Sequence, residues 1–142
     1  MSGMDQPSDS HRPAGAEVGL TVTHRRYVPF SHAHYAGHLV DGAYSLGLFG
    51  DVATELCIRT DGDEGLFASY SDVQFRSPVR AGDVLEVSAE VVQVGTRSRT
   101  VDFRAVVVAR GRPDLSESAA RMLPEPVVAT TATGVVVVPP AS

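Results

Sequence analysis

Apolar and polar side chains alternate from residue 18 to residue 27, which predicts a first strand ended by Pro29. Residues 30–40 show no period and read as a loop. The period then changes. Tyr44, Leu48, Val52 and Leu56 recur at helical spacing, and Leu46, Phe49 and Ala53 widen the stripe, so residues 42 to about 59 are predicted as a helix. Asp41 stands where its carboxylate can accept from the orphan amides of the first turn, as an N-cap does. Gly42, Gly47 and Gly50 lower the intrinsic helix propensity. The helix therefore needs tertiary packing, and its small residues let a sheet or a ligand come close. The run TDGDEG at 60–65 stops it. Four more strands follow at about 66–75, 84–94, 99–110 and 131–138, two of them rich in β-branched residues. Ala81-Gly82-Asp83 forms a tight turn. Residues 112–125 read as a loop or short helix, and the apolar run 135–138 ties the C-terminus into the sheet. One helix and about five strands long enough to curl around it make an α+β domain, with a mainly antiparallel sheet and the helix on its concave face.

Composition bounds the picture further. A chain of 142 residues with 43% hydrophobic residues suits one domain with its own core. Residues 1–17 are rich in Ser, Pro, Gly and Asp and offer little to bury, so they are expected to form a mobile tail before a domain spanning 18–142. The net charge is -5 with no basic block, which speaks against a nucleic-acid partner. A lone cysteine, Cys57, excludes a disulfide framework and reads as a small core hydrophobe. No apolar run is long enough to span a bilayer and no signal-peptide core is visible, so the expectation is a soluble cytoplasmic protein with no membrane partner. His32, His34 and His38 lie close together without a fourth ligand at zinc spacing, so no metal site is expected.

The chemistry concentrates between residues 32 and 55. Three histidines, Tyr35 and Gly37 crowd into the turn before the helix, and the helix then carries Asp51 and Glu55 at i,i+4 on one face. Imidazole titrates near neutrality and can take and return a proton. The open amides and the positive dipole end at Asp41, Gly42 and Ala43 can hold developing negative charge on an oxygen. Together these groups suit proton movement beside a carbonyl.

The helix followed by FASYSDVQFRSPVRAGDVLEVSAEVVQVGTRSRTVDFRAVV resembles the hotdog fold of thioesterases and hydratases, and Phe75-Arg76-Ser77-Pro78-Val79-Arg80-Ala81-Gly82-Asp83 is similar to a recurrent turn of that fold. The segments HAHYAGHLVDGA, GDVATEL and DGDEGLF resemble bacterial CoA-thioester ammonia lyases acting on 3-aminobutyryl-CoA and β-alanyl-CoA. This likeness covers about residues 27–138. It implies reversible removal of ammonia from a short 3-aminoacyl-CoA, with 3-aminobutyryl-CoA to crotonyl-CoA as the first reaction to try. It also implies a homodimer, or a trimer or tetramer of dimers, with sites at subunit interfaces. No cofactor is expected beyond the coenzyme A of the substrate.

Within that likeness His34 takes the role of base, because His34-Tyr35-Ala36-Gly37 resembles the histidine turn of 3-hydroxyacyl-carrier-protein dehydratases. Asp51 or Glu55 would hold the substrate ammonium and relay a proton, and two close carboxylates favour one staying protonated near neutrality. Tyr35, His38, Asp41, Gly42, Ala43 and Tyr44 would line the substrate site, with Asp41 a cap first. His32 reads as structural. Arg97 and Arg99 are candidate contacts for the CoA phosphates, or else a charge pair at a strand end. The chain departs from the lyase pattern at Tyr44, where arginine is usual, and at His38 and Asp41, often asparagine. That leaves the acyl chain and the amine open. The alternatives are a hotdog acyl-CoA thioesterase using Asp51 or Glu55 to activate water, addition of another amine or use of a carrier-protein substrate, and a non-catalytic acyl-thioester binder.

Overall fold

The computed structural model describes residues 15–140. Strand β1 (Thr21–Tyr27) leads through two short 3-10 turns and the two-residue strand β2 (Leu39–Val40) into helix α1 (Gly42–Asp61). Strands β3 (Leu66–Phe75), β4 (Val79–Arg80), β5 (Val84–Val94), β6 (Ser98–Gly111) and β7 (Ala120–Val137) follow. The main sheet runs β1-β5-β6-β7-β3, antiparallel throughout, and β2 pairs with β4 in a small second sheet. This is the hotdog arrangement, one long helix against a curled antiparallel sheet.

The helix forms because its buried positions keep helical spacing along its whole length. Ser45, Leu48, Phe49, Val52, Ala53, Leu56, Cys57 and Thr60 face the sheet. Phe49 is fully buried and stacks on Phe103 of β6 with ring centroids 5.0 Å apart, and Phe67 of β3 also stacks on Phe103 at 5.6 Å. Burial pushes the Cys57 thiol up to about 11, as expected of a packing residue rather than a reactive one. Gly62, in the left-handed region at φ 65°, closes the helix by donating its N–H to the Ile58 carbonyl.

Three expectations are corrected. The first strand begins at Thr21 rather than 18, because Gly19 and Leu20 already bend to bond Val91. The stretch expected as a loop or short helix at 112–125 ends in strand, and β7 starts at Ala120 instead of 131. Pro124 and Pro126 disguise it. They are tolerated because β3 reaches only as far as Thr130, so the first half of β7 is an edge paired to β6 alone. Of the expected tail, residues 1–14 lie outside the described residues, whereas Gly15 donates its N–H to the Thr60 carbonyl and is held against the helix end. No described helix is long and apolar enough to cross a membrane.

The Pro78-to-Asp83 turn is built around one buried charge. Asp83 is fully buried, takes two hydrogen bonds from the Arg110 guanidinium at 2.8 and 2.9 Å, and accepts the Arg80 N–H at 2.8 Å. Gly82 sits at φ 91° beneath the Phe30 ring, which leaves little room for a Cβ. The turn thereby fixes β4, and β4 in turn holds β2, which feeds the helix start. Replacing Asp83 by Ala strands the Arg110 charge and should destabilise the domain by about 3 kcal/mol, seen as a lower urea midpoint at unchanged slope; a midpoint equal to the parent's would show that the turn stands without this pair.

Candidate active site

Helix α1 begins where the chain leaves β2. Asp41 is extended at φ -72° and its carboxylate accepts the Tyr44 N–H at 3.3 Å, the cap expected from sequence. A cap of this kind uses the third amide of the turn and leaves those of Gly42 and Ala43 without an intrahelical acceptor. A cleft of 570 Å³ opens against this end. Its walls include Tyr35, Val40, Asp41, Gly42, Ala43, Ser45, Phe75, Arg76 and Thr130. Phe75 lies over Gly42 so closely that a Cβ there would stand 2.6 Å from its Cζ. That contact explains the glycine at the first helical position despite its poor propensity.

The loop before the helix is closed on itself. The amides of His34 and Tyr35 both donate to the Leu39 carbonyl, at 2.8 and 3.0 Å, and Ala33 bridges Val40. Gly37 and His38 both take positive φ, 71° and 62°, to turn the chain back. Tyr35 therefore reaches the cleft wall. His34 stands beside it, exposed and not itself among the residues that line the cleft, with its ring edge-on to Tyr35 at 4.6 Å. His38 is turned elsewhere. It packs edge-on against Phe30 and lines a separate 570 Å³ cavity with Arg80, Asp83 and Arg110, so it does not share a cavity with Gly42. Tyr44 likewise points away from the cleft and rests on His32 at 4.6 Å, which fits a structural role for His32. Burial holds the Tyr44 hydroxyl above its ordinary pKa, with Asp51 adding to the effect and Arg26 opposing it.

At 100° per residue Tyr44, Asp51 and Glu55 share one flank of α1, away from the sheet-facing stripe. Glu55 bonds His24 of β1 at 2.7 Å and Arg59 at 2.7 to 2.8 Å. The His24 bond, followed by the Arg59 bond, pulls its carboxyl below the ordinary range. Of the two helix carboxylates, Glu55 is therefore not the one that keeps a proton near neutrality. Asp51 is exposed and has no hydrogen bond or ion pair among the described residues. Ten residues separate Asp51 from the cap, about 15 Å along the axis, so one protomer does not bring His34 and the two carboxylates together.

Arg99 is also corrected. It is buried, grips Asp61 through two bonds at 2.7 and 3.2 Å, and spends its remaining nitrogen on the Gly95 and Ser98 carbonyls at 3.0 and 2.9 Å. Four of its five N–H donors are thus spent, and the guanidinium is buried away from any phosphate in solution. It ties the helix C-terminus to the β5–β6 hairpin, about 28 Å from the helix start. Arg97 remains exposed on that hairpin, with one bond to the Val138 carbonyl. Sequence reasoning missed Arg76, the cation of the cleft, which was read only as part of a turn. It also missed Ser45 and Thr130, buried hydroxyls on the cleft wall. Ser45 was visible one turn after Gly42, but Thr130 could be placed only by the β3–β7 register.

The family model of the Thioesterase superfamily matches residues 37–111. The 3-aminobutyryl-CoA ammonia lyase of Acetoanaerobium sticklandii is 51% identical over 107 residues, covering 75% of this chain and 85% of that protein. Among solved structures, the β-alanyl-CoA:ammonia lyase from Clostridium propionicum superposes with a TM-score of 0.80 at 37% identity, covering 86% of this chain and 87% of that one. A hexameric hotdog fold thioesterase of Campylobacter jejuni superposes with a TM-score of 0.64 at 19% identity, over 86% and 82% of the two chains, a likeness of fold alone. By its matched family model, and by an identity of one residue in two across three-quarters of its length, the chain belongs to the thioesterase superfamily and, within it, to the family of the CoA-thioester ammonia lyases.

Proposed function

We propose that this protein is a carbon-nitrogen lyase that reversibly eliminates ammonia from a short 3-aminoacyl-CoA, with 3-aminobutyryl-CoA to crotonyl-CoA as the favoured reaction. The observation that carries the reading is the open amino end of α1 on the wall of a 570 Å³ cleft, in a chain 51% identical to a 3-aminobutyryl-CoA ammonia lyase. The thioester oxygen docks on the Gly42 and Ala43 amides, where the dipole favours the enolate-like charge that develops on it. With that charge held, the neighbouring carbon becomes acidic enough for an imidazole. The His34 ring, beside the cleft-lining Tyr35, takes that carbon's proton. The thioester itself supplies the activation, so the reaction calls for no metal or redox cofactor.

The acid-base carboxylate is assigned to Asp51. Glu55 is already committed to His24 and Arg59, whereas Asp51 is free among the described residues. Its distance from the cleft in one protomer supports a site completed across a two-fold, with the carboxylate offered to a second copy's cleft. The outer edge of β3, unpaired among the described residues, supports the same assembly, because a strand edge is covered by pairing with its own copy. Arg76 replaces Arg99 as the candidate phosphate contact.

Incubation with crotonyl-CoA and ammonia should give 3-aminobutyryl-CoA by mass spectrometry, without release of free CoA; thiol release alone would make the protein a thioesterase. His34→Ala should lower turnover by about a hundredfold or more while CoA-ester binding by calorimetry persists, and normal turnover would remove His34 as the base. Asp51→Asn should cost about a hundredfold in kcat. Glu55→Gln should leave turnover largely intact and act on stability instead. Since Glu55 is held below its ordinary pKa, its contribution is present above the unfolded carboxylate value and fades as pH falls through the lowered one. The thermal midpoint of the parent should therefore drop on acidification toward that value by more than that of Glu55→Gln. Parallel curves would show the ion pair to be idle.

A further inference from the structure

Two hydroxyls in the cleft have no work in the fold. Ser45 and Thr130 are each only 2% exposed, both line the cleft at the helix start, and neither side-chain oxygen has a hydrogen-bond partner among the described residues. No fully buried side-chain nitrogen or oxygen lacks a partner in the described structure. Each of these two oxygens therefore keeps some accessible surface, and both residues line the cleft. A hydroxyl so enclosed is costly to keep unpaired unless something enters to bond it. Their positions are set by rigid elements. Ser45 lies three residues after Gly42, one turn further along α1. Thr130 pairs directly with Phe75 on one side and Ala105 on the other, so its side chain shares the concave face with the ring that covers Gly42.

We propose that Ser45 and Thr130 are the specificity pair that receives the nitrogen of the substrate. The inference rests on the lyase reading above. With the thioester oxygen on the Gly42 and Ala43 amides, the amino nitrogen sits two carbons beyond the carbonyl carbon, a span comparable to the roughly 5.4 Å turn that separates Gly42 from Ser45. In the elimination the base takes the proton from C2, the C2–H electron pair becomes the C2–C3 π bond, and the C3–N bond breaks with its pair remaining on nitrogen. A substrate carrying –NH3⁺ thus releases neutral ammonia, and the proton stays on the base. Two neutral oxygens accept N–H bonds from that ammonia without holding it as ammonium. In the reverse direction they leave the nitrogen lone pair free to attack C3. A carboxylate at the same place would favour ammonium, which has no pair to give. Within one protomer the cleft wall carries a single carboxylate, Asp41, already spent on its cap, and the Asp51 offered by a second copy serves the proton rather than the nitrogen.

The test is steady-state kinetics of ammonia addition to crotonyl-CoA with the full chain. Ser45→Ala and Thr130→Val should each raise the KM for ammonia by about tenfold, the loss of one hydrogen bond at 1.4 kcal/mol per decade, with the KM for crotonyl-CoA unchanged. Thr130→Ser keeps the hydroxyl and should keep the parent KM for ammonia, which separates hydrogen bonding from packing. Equal rises in both KM values, or an unchanged KM for ammonia in both hydroxyl-free variants, would overturn the assignment. A parent protein that adds no ammonia to any enoyl-CoA would overturn the lyase reading instead.

Discussion

Everything in this domain hangs on the stacking of Phe49 against Phe103, the point where the helix stripe meets the middle of the sheet. A helix with three glycines does not persist alone. It is held because one side of it is apolar from Ser45 to Thr60 and the sheet curls to cover that side. The sheet curls in part because its ladders slip, with register shifts in β3–β7, β5–β6 and β6–β7. Packing so concentrated at the middle leaves the amino end of the helix open, and that is where the cleft lies.

Two ion pairs fix the ends of this assembly in different ways. Asp83 and Arg110 close the turn that carries β4, and through β2 they set where the helix begins. Arg99 and Asp61 pin where it finishes. The length of α1 between them separates a polar, glycine-rich end suited to chemistry from a clamped end that carries only structure. The helix flank with Asp51 and Glu55 lies between, beside the apolar stripe and toward β1 at the sheet edge. Within that flank the two carboxylates differ because only Glu55 has a basic side chain from β1, His24, within reach.

Much of this was legible in the chain. Periodicity alone gave the helix to within two residues at its C-terminal end, and Asp41 could be named as the cap because a short carboxylate before a helical stripe has one obvious use. The turn at Gly82-Asp83 and the central strands β5 and β6 were equally plain, since both strands alternate over most of their length and are rich in β-branched residues. Sequence failed where pairing rather than pattern decides. The first half of β7 has two prolines and looks irregular until β6 is laid beside it. Arg99 looked like a free cation because Asp61, thirty-eight residues away, is invisible from its neighbourhood. His38 and Tyr44 were grouped with His34 by closeness in the chain, but a positive φ at His38 and the turn of the helix at Tyr44 send their rings elsewhere. Thr130 went unnoticed for the same reason, being one of three threonines in a mixed apolar and polar stretch until β3 places it opposite Phe75.

The two prolines of β7 have an effect beyond concealment. Between Ala120 and Pro126 the strand projects past the end of β3, and a bare ribbon of this kind invites a foreign chain to zip onto it. Pro124 and Pro126 carry no amide hydrogen, so that ribbon offers an incomplete row of donors. Self-association by strand addition is discouraged along that projecting ribbon and remains open along β3, whose ten residues contain no proline. The imino acids thus act as a directional filter on how copies of this chain can stack.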